Sequence, residues 1–288
     1  MQISHFLVRI LNKMRLISVF NGSSAINVNQ KKIKIPFLGR QGLDNMHLSE
    51  PWMTETLLAL RPIFKGDFVD VGVNLGQTLI KAYAVFDNLN YIGFEPNPAC
   101  INYVQELLRK NDMKNARLLP VAVGAKTEML KLNFFDSDTS GSAATIIENF
   151  RPYSTTDHSI FVPVFDFHSV SHFLPSKPMS ILKIDVEGAE LDVLLGLDQW
   201  INANQPIILL EILPVYESGH GERLERQKKI EGLLQNWRYK ISRIKKKHPL
   251  HLEIIPEVGI HSNIEDCDYL LFHELAEHQV LSCFNFSN

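Results

Sequence analysis

Four acids and two glycines in this 288-residue chain have the types and spacing of a ligand-binding site. Asp70 lies near the end of the apolar run Phe68-Val69-Asp70-Val71, and Gly72 and Gly76 follow it. Glu95 comes nineteen residues after Gly76, just past Tyr91-Ile92-Gly93-Phe94. Asp185 ends Ile181-Leu182-Lys183-Ile184, and Glu211 ends Ile207-Ile208-Leu209-Leu210. A carboxylate at a strand end can accept hydrogen bonds from hydroxyls, face a cation, or take up a proton. The glycines let the backbone turn sharply and approach a ligand without a Cβ in the way. A helix starting near Gly76 would turn its unsatisfied N–H groups into the same loop.

The loop is informative for what it lacks. A dinucleotide site needs Gly-x-Gly-x-x-Gly, whereas these glycines stand four apart behind an acid. The Gly-Lys-Ser/Thr ending of a Walker loop is missing as well. Asp70 would repel a pyrophosphate and suits a cationic or amine-bearing ligand. S-adenosylmethionine carries a sulfonium and an α-ammonium and no phosphate, so it fits where dinucleotides do not. An acid about 20 residues beyond the glycine loop, at the tip of the second strand, accepts hydrogen bonds from ribose hydroxyls, which assigns Glu95. The other reading of the first stretch is a buried Asp70 that caps the next helix.

These residues need an alternating α/β framework to bring them together. The stretch 68–71 reads as a strand, and Leu79, Ile80, Ala82, Tyr83 and Phe86 follow with helical spacing. Pro98 marks a helix start, and Cys100, Ile101, Val104, Leu107 and Leu108 form its buried stripe. Residues 118–124 read as a third strand whose exit, around Ala122, lies against an adenine. Strand-like stretches at 130–135 and 160–167 flank the small-residue loop 140–145, which together predict an inserted β-ribbon closing the site. Residues 222–237 read as a polar-faced helix, and 239–244 with 268–272 as an antiparallel edge pair. Ahead of the framework, residues 1–20 read as an amphipathic helix with Phe6, Ile10, Met14 and Ile17 on one face. Residues 26–35 form a weak hairpin around Asn29-Gln30, and Pro51 starts a helix ending before Pro62. We therefore divide the chain into an extension, 1–60, that shapes the acceptor pocket, lids the core or joins a second copy, and a domain, 61–288.

Composition narrows the function classes. A hydrophobic content of 45% supports a large core, and a net charge of −3 gives no footprint for nucleic acid. Lys245-Lys246-Lys247 is the densest basic cluster and reads as a solvated loop. Three cysteines suit a reducing cytoplasm. No stretch approaches a membrane span, and Arg9, Lys13 and Arg15 interrupt the apolar core that a signal peptide would need.

Together these residues resemble the FkbM family of S-adenosylmethionine-dependent methyltransferases. The matching blocks are Asp70-Val71-Gly72-Val73-Asn74-Leu75-Gly76-Gln77-Thr78, Gly93-Phe94-Glu95-Pro96-Asn97-Pro98, Val121-Ala122-Val123-Gly124 and Lys183-Ile184-Asp185-Val186-Glu187-Gly188-Ala189-Glu190. The resemblance runs from about residue 66 to 273, and its last block is the family-specific one. It implies a Rossmann-like class I methyltransferase fold, α/β, with a seven-stranded mostly parallel sheet. It implies cofactor contacts at Asp70, Gly72, Asn74, Gly76, Thr78, Glu95, Asn97, Ala122 and Asp185. It also implies methyl transfer to a hydroxyl oxygen of a sugar or polyketide. The family commonly has Thr-Leu-Asp after the ribbon, where this chain has Val164-Phe165-Asp166-Phe167, so no role is assigned at 164–167.

An alcohol acceptor must lose its proton, which needs a base or a metal ion near the oxygen. Asp185 and Glu211 are the candidate catalytic pair, with His220 a weaker candidate. Catechol-type O-methyltransferases hold magnesium between acids at these two strand ends, and hard oxygen ligands suit that ion. Direct carboxylate base catalysis is the alternative. A structural reading has Asp185 capping the helix near Gly188 and Glu211 pairing with Lys183. Two other function classes compete: a non-catalytic S-adenosylmethionine-binding module, and a nicotinamide oxidoreductase, which the missing third glycine disfavours.

Overall fold

The computed structural model describes residues 21–135, 144–147, 156–176, 179–215 and 221–284. The expectations for residues 1–20, for 140–143 and for His220 lie outside these. The described residues open with a hairpin, β1 (Asn21–Val28) and β2 (Lys31–Leu38), followed by helix α1 (Pro51–Leu60). Strand, helix and strand then alternate through β3 (Asp67–Val71), α2 (Gln77–Val85), β4 (Asn90–Phe94), α3 (Pro98–Asn111) and β5 (Ala116–Leu119). A three-stranded insertion follows, with β6 (Ala122–Val123), β7 (Glu128–Phe135) and β8 (Thr156–Phe165) in the order β6-β8-β7. After the short α4 (Phe167–Val170) the alternation resumes with β9 (Ile181–Ile184), α5 (Glu190–Gly196), α6 (Asp198–Asn204), β10 (Ile207–Glu211) and α7 (Gly221–Asn236). The chain ends in β11 (Tyr239–Lys245), β12 (His251–Ile255), β13 (Asp268–His273) and α8 (Glu277–Phe284).

The main sheet runs β12-β11-β13-β10-β9-β3-β4-β5. Strands β5, β4, β3, β9 and β10 are parallel, and β13, β11 and β12 are antiparallel. This is the expected Rossmann-like α/β fold with its inserted ribbon. Strand order reverses at β3, which lies between β4 and β9, so the crevice beyond the carboxyl ends of β3 and β9 is the switch point where such sheets bind ligands. Among the described residues the sheet has eight strands where seven were expected. The added β12 pairs with β11, which makes β11 an interior strand and corrects the expected edge pair. The half-exposed His251-Leu252-Glu253-Ile254-Ile255 lacks a one-sided pattern, so its strand was invisible without the partner.

Side chains alternate between two apolar layers, as period-2 strands require. Phe68, Tyr91, Ile181, Ile207, Leu209, Leu270 and Phe272 pack toward α1, α2, α3 and the hairpin. Val69, Ile92, Phe94, Leu182, Ile184, Ile208, Leu210 and Leu271 pack toward the opposite layer. Alternation places Asp70, Lys183, Glu211 and Asp268 on the first face, near the sheet's central polar end. Among the described residues no helix is long and apolar enough to cross a membrane.

The hairpin is longer than the sequence indicated. Asn29 and Gln30 both have positive φ, 44° and 65°, the geometry of a two-residue turn matched to strand twist. It is fastened to the helices under it: the Lys34 N–H donates to Asn111 Oδ1 at 2.7 Å, and Lys31 Nζ donates to the Tyr83 carbonyl at 2.9 Å. Ile33, Ile35 and Phe37 are fully buried in the same cluster as Phe68 and Leu79. Phe37→Ala should therefore cost about 3–5 kcal/mol in a urea melt monitored over the whole chain. A loss well under about 1 kcal/mol would mean that the hairpin is a detachable flap.

Candidate functional site

Register sets Asp70 beside Lys183 on the neighbouring strand. The Lys183 ammonium donates to the Gly72 carbonyl at 3.0 Å and lies 3.4 Å from Asp70 Oδ1 and 3.3 Å from Asp185 Oδ2. Tyr91, rising from β4, donates its hydroxyl to Asp70 Oδ2 at 2.5 Å. Burial pushes the Asp70 carboxyl up, against the pull of Lys183 and Tyr91. Burial also opposes the charge on Lys183, but the carboxylates of Asp185 and Asp70 prevail and raise its pKa. Asp70 was expected to meet the cationic end of a ligand. Its carboxylate is instead wholly buried behind the Gly72 loop, engaged by Tyr91 and Lys183.

In front of that loop lies a cleft of about 850 Å³ counted to its open mouth, walled in part by Gly72, Asn74, Glu95, Asn97 and Ala122. Glu95 is its organising acid. One carboxylate oxygen accepts from the Asn74 N–H at 2.7 Å and the other from the Asn97 N–H at 2.8 Å. Asn97 caps α3 by accepting from the Ala99 N–H. Burial pushes the Glu95 carboxyl up to about 7, with the two backbone donors working against it.

Both glycines make the sharp backbone turns expected of them, and each is also crowded by neighbouring protein. Gly72 has φ 88°, and a Cβ there would stand 1.9 Å from the Asp185 carbonyl oxygen. Gly76 has φ 78°, and a Cβ would meet Leu107 of α3 at 3.0 Å. Both lack a side chain because neighbouring protein elements crowd them. Gly76 stands off the cleft wall, and Thr78 faces a smaller adjoining cavity with Glu50, Trp52 and Asp268.

The inserted ribbon covers the cleft with Leu132, Ala144 and Ile146. Thr145, almost fully buried, donates its hydroxyl to the Glu187 carbonyl at 2.7 Å and pairs backbone to backbone with Asn133. Glu187 and Gly188 form a left-handed turn, φ 52° and 101°, and the Gly188 N–H donates to Glu190 at 2.9 Å. The turn ahead of that helix is thus held by Glu190, and no side chain, Asp185 included, caps the helix itself.

Asp185 and Glu211 meet on the cleft wall and hydrogen-bond side chain to side chain. Burial, then the carboxylates of Asp185 and Asp268, push Glu211 up to about 9. Burial also opposes the charge on Asp185, yet Lys183 and the bond from Glu211 hold its carboxyl below the usual range. One proton is thus kept on Glu211 and donated to Asp185 at neutral pH. Glu211 was expected as a possible base, a part this proton denies it. Antiparallel register puts Asp268 beside Glu211, where burial pushes it up to about 6 against the Lys246 ammonium 2.7 Å away.

Lys246 and Lys245, expected in a solvated loop, pair with Asp268 and Asp266 respectively. Among the described residues no group of three or more His, Cys, Asp and Glu is placed to hold a metal ion. The cation beside Asp185 is Lys183, so the magnesium expectation finds no support in this donor set. The three residues that sequence reasoning passed over are Tyr91, Thr145 and Asn45. Asn45 is fully buried and donates to the Leu75 carbonyl at 2.7 Å, holding the loop from the N-terminal extension. A tyrosine and a lysine on strands flanking Asp70 were a usable signal for an internal acid; Asn45 and Thr145 carried none.

Comparison with known proteins matches residues 70–271 to the family described as Methyltransferase FkbM domain. Methyltransferase 1 of Beauveria bassiana (strain ARSEF 2860) is 27% identical over 143 residues, 45% of this chain and 57% of that protein. Methyltransferase sdnD of Sordaria araneosa is 25% identical over 155 residues, 46% of this chain and 60% of that protein. The matched regions thus span less than two thirds of either relative. The crystal structure of a methyltransferase FkbM from Methylobacillus flagellatus KT superposes with a TM-score of 0.44 at 14% identity, covering 75% of this chain and 48% of that one.

The buried carboxyls predispose the ligand-free protein to lose stability in alkali. Asp268 at about 6, Glu95 and Glu190 at about 7 and Glu211 at about 9 keep protons that an unfolded chain releases near pH 4. For each, the added stability is complete below the unfolded value and is lost as pH rises through the folded value. Glu211→Gln should flatten the fall between about pH 7 and pH 9 in urea midpoints. Parallel curves for the variant and wild type would remove the proton from Glu211.

Proposed function

The chain belongs to the FkbM methyltransferase family, and from that premise we propose that it transfers the methyl group of S-adenosylmethionine to a hydroxyl oxygen of a sugar- or polyketide-type acceptor. The observation that carries this reading is the cleft wall itself, which Glu95 and the Asp185–Glu211 pair line together. Among the described residues that wall presents acids and no lysine or arginine, which suits a ligand with two cationic groups and disfavours a pyrophosphate.

When bound, S-adenosylmethionine would supply an electrophilic methyl group whose leaving group, a neutral thioether, needs no acid. Glu95, already fixed by two backbone donors, has lone pairs left for ribose hydroxyls. Ala122 and Val123, both buried, give the apolar ledge for a purine. Asn74 and Asn97 hold Glu95 and with Gly72 shape the wall beneath it.

Asp185 orients the acceptor. Its side chain is 42% exposed toward the cleft while Lys183 keeps it charged, so it can accept a hydrogen bond from the acceptor hydroxyl. As that oxygen gives up electron density, its proton becomes acidic enough for a carboxylate of low basicity to take. Glu211, donating to Asp185, fixes the orientation of the receiving group. Positioning of the reacting oxygen is the largest contribution asked of the protein, on the order of 7–11 kcal/mol.

Two variants separate binding from chemistry. Glu95→Gln should weaken S-adenosylmethionine binding about ten- to a hundredfold in calorimetry. Asp185→Asn should lower turnover with radiolabelled donor, measured over a panel of sugar and polyketide hydroxyls, by about 10²–10⁴-fold. Wild-type turnover by Asp185→Asn removes it from the chemistry. Tighter binding of NAD than of S-adenosylmethionine by the wild-type protein would overturn the reading as a whole.

A further inference from the structure

Charge is distributed unevenly along the chain. Seven of its 29 lysines and arginines, and none of its 32 acids, fall within the first 43 residues. The remainder holds 22 bases against 32 acids, so a basic extension is joined to an acidic domain. Such asymmetry points to a segment that meets an anionic surface. In the sequence, Ile3, Phe6, Ile10, Met14 and Ile17 recur at helical spacing. Arg9, Lys13 and Arg15 fall beside that apolar stripe, where long basic side chains can reach a headgroup layer.

The basic character continues into the hairpin that follows. In β2 the side chains alternate, with Ile33 and Ile35 fully buried and Lys32 and Lys34 exposed on the opposite face. Neither of these ammonium groups has an ion-pair partner among the described residues. Acids on the elements packed against the hairpin are already matched. Asp87 lies against Lys31 and Arg61, Glu106 against Arg109 and Lys110, and Asp112 against Lys114. The outer face of the hairpin is thus positive, without a counter-charge from these neighbours.

The hairpin also fixes where residues 1–20 join the fold. Its turn lies at the far end of α2, where Asn29 Nδ2 donates to the Ala84 carbonyl at 3.1 Å. Its open end pairs Asn21 with Leu38 and lies toward the Gly72–Gly76 loop. There the Tyr103 hydroxyl donates to the Pro36 carbonyl and accepts from Asn45, which itself donates to the Leu75 carbonyl. Residues 1–20 therefore enter at the cleft end of the molecule.

We propose that residues 1–20 and the outer face of the hairpin form one anchoring surface for an anionic lipid bilayer. The apolar stripe enters the boundary between headgroups and acyl chains, and Lys32 and Lys34 add attraction to the lipid charge. An apolar stripe and a basic patch together give the two signals that stable surface anchoring needs. A nucleic acid would use the bases and leave the stripe in water, so the bilayer accounts for both features.

The test is cosedimentation of the full chain with sucrose-loaded vesicles of phosphatidylcholine, alone or with about a third phosphatidylglycerol. The wild-type chain should bind the anionic vesicles at least about tenfold more tightly than the neutral ones. Lys32→Gln/Lys34→Gln, two exposed changes, should weaken that binding about tenfold to thirtyfold. Ile10→Gln/Ile17→Gln, which keeps every charge, should weaken it at least about tenfold. None of these readouts involves S-adenosylmethionine, so they stand or fall apart from the methyl-transfer reading. The anchor is overturned if both kinds of vesicle bind alike, or if either variant sediments as well as wild type. Displacement of the chain from vesicles by a random-sequence DNA duplex would overturn it too, and assign the bases to nucleic acid. Absence of vesicle binding, with a dimer that Ile10→Gln/Ile17→Gln makes monomeric, would assign the stripe to a second copy instead.

Discussion

The ammonium of Lys183 sits between the carboxylates of Asp70 and Asp185 and donates to the Gly72 carbonyl, almost shut off from water. A cation at that depth is tolerated only while its partners surround it, and each partner depends on it in turn. Asp70 lies wholly in the core and would be an uncompensated charge without it. Gly72 and Asp185 approach so closely that the glycine has no room for a side chain. The ends of β3 and β9 are therefore locked together by one charge and one backbone contact at the strand-order reversal.

The chemical state of the cleft follows from that lock. A charged Asp185 beside Lys183 raises the cost of ionising the neighbouring, partly buried Glu211, which keeps its proton because a second negative charge beside Asp185 is unfavourable. The result is one acceptor and one donor side by side on the wall of a cleft that Glu95 also lines and the ribbon helps cover. Glu50 and Lys81 extend the same pattern outward, with the buried Lys81 ammonium 3.0 Å from Glu50 Oε2 at the start of α1.

Much of this framework was legible because each element announces itself locally. Runs such as Ile181-Leu182-Lys183-Ile184 have a strand's length and apolar character, and the acids that close them fall where parallel strands end. The positions of Glu95 and Asp185 just past strand ends were legible that way, as was the turn at Asn29-Gln30. Features set by long-range register were not legible. Nothing local to Asp268 says that it will lie beside Glu211, or that Lys246 will reach it. Asp70 was misjudged for the same reason, because the hydroxyl that captures it rises from another strand. The sharp turns at Gly72 and Gly76 were legible, but the crowding that also excludes a side chain there was not, since the atoms responsible belong to Asp185 and Leu107.

The lock at Lys183 is tested most directly by equilibrium urea unfolding of wild type, Lys183→Met and the double variant Asp70→Asn/Lys183→Met at neutral pH. If Lys183 compensates Asp70 within the core, the single variant should lose about 3–5 kcal/mol and the double variant should recover a substantial part of it. A Lys183→Met protein as stable as wild type would contradict the lock, and with it the reason given for the charged Asp185 and the protonated Glu211.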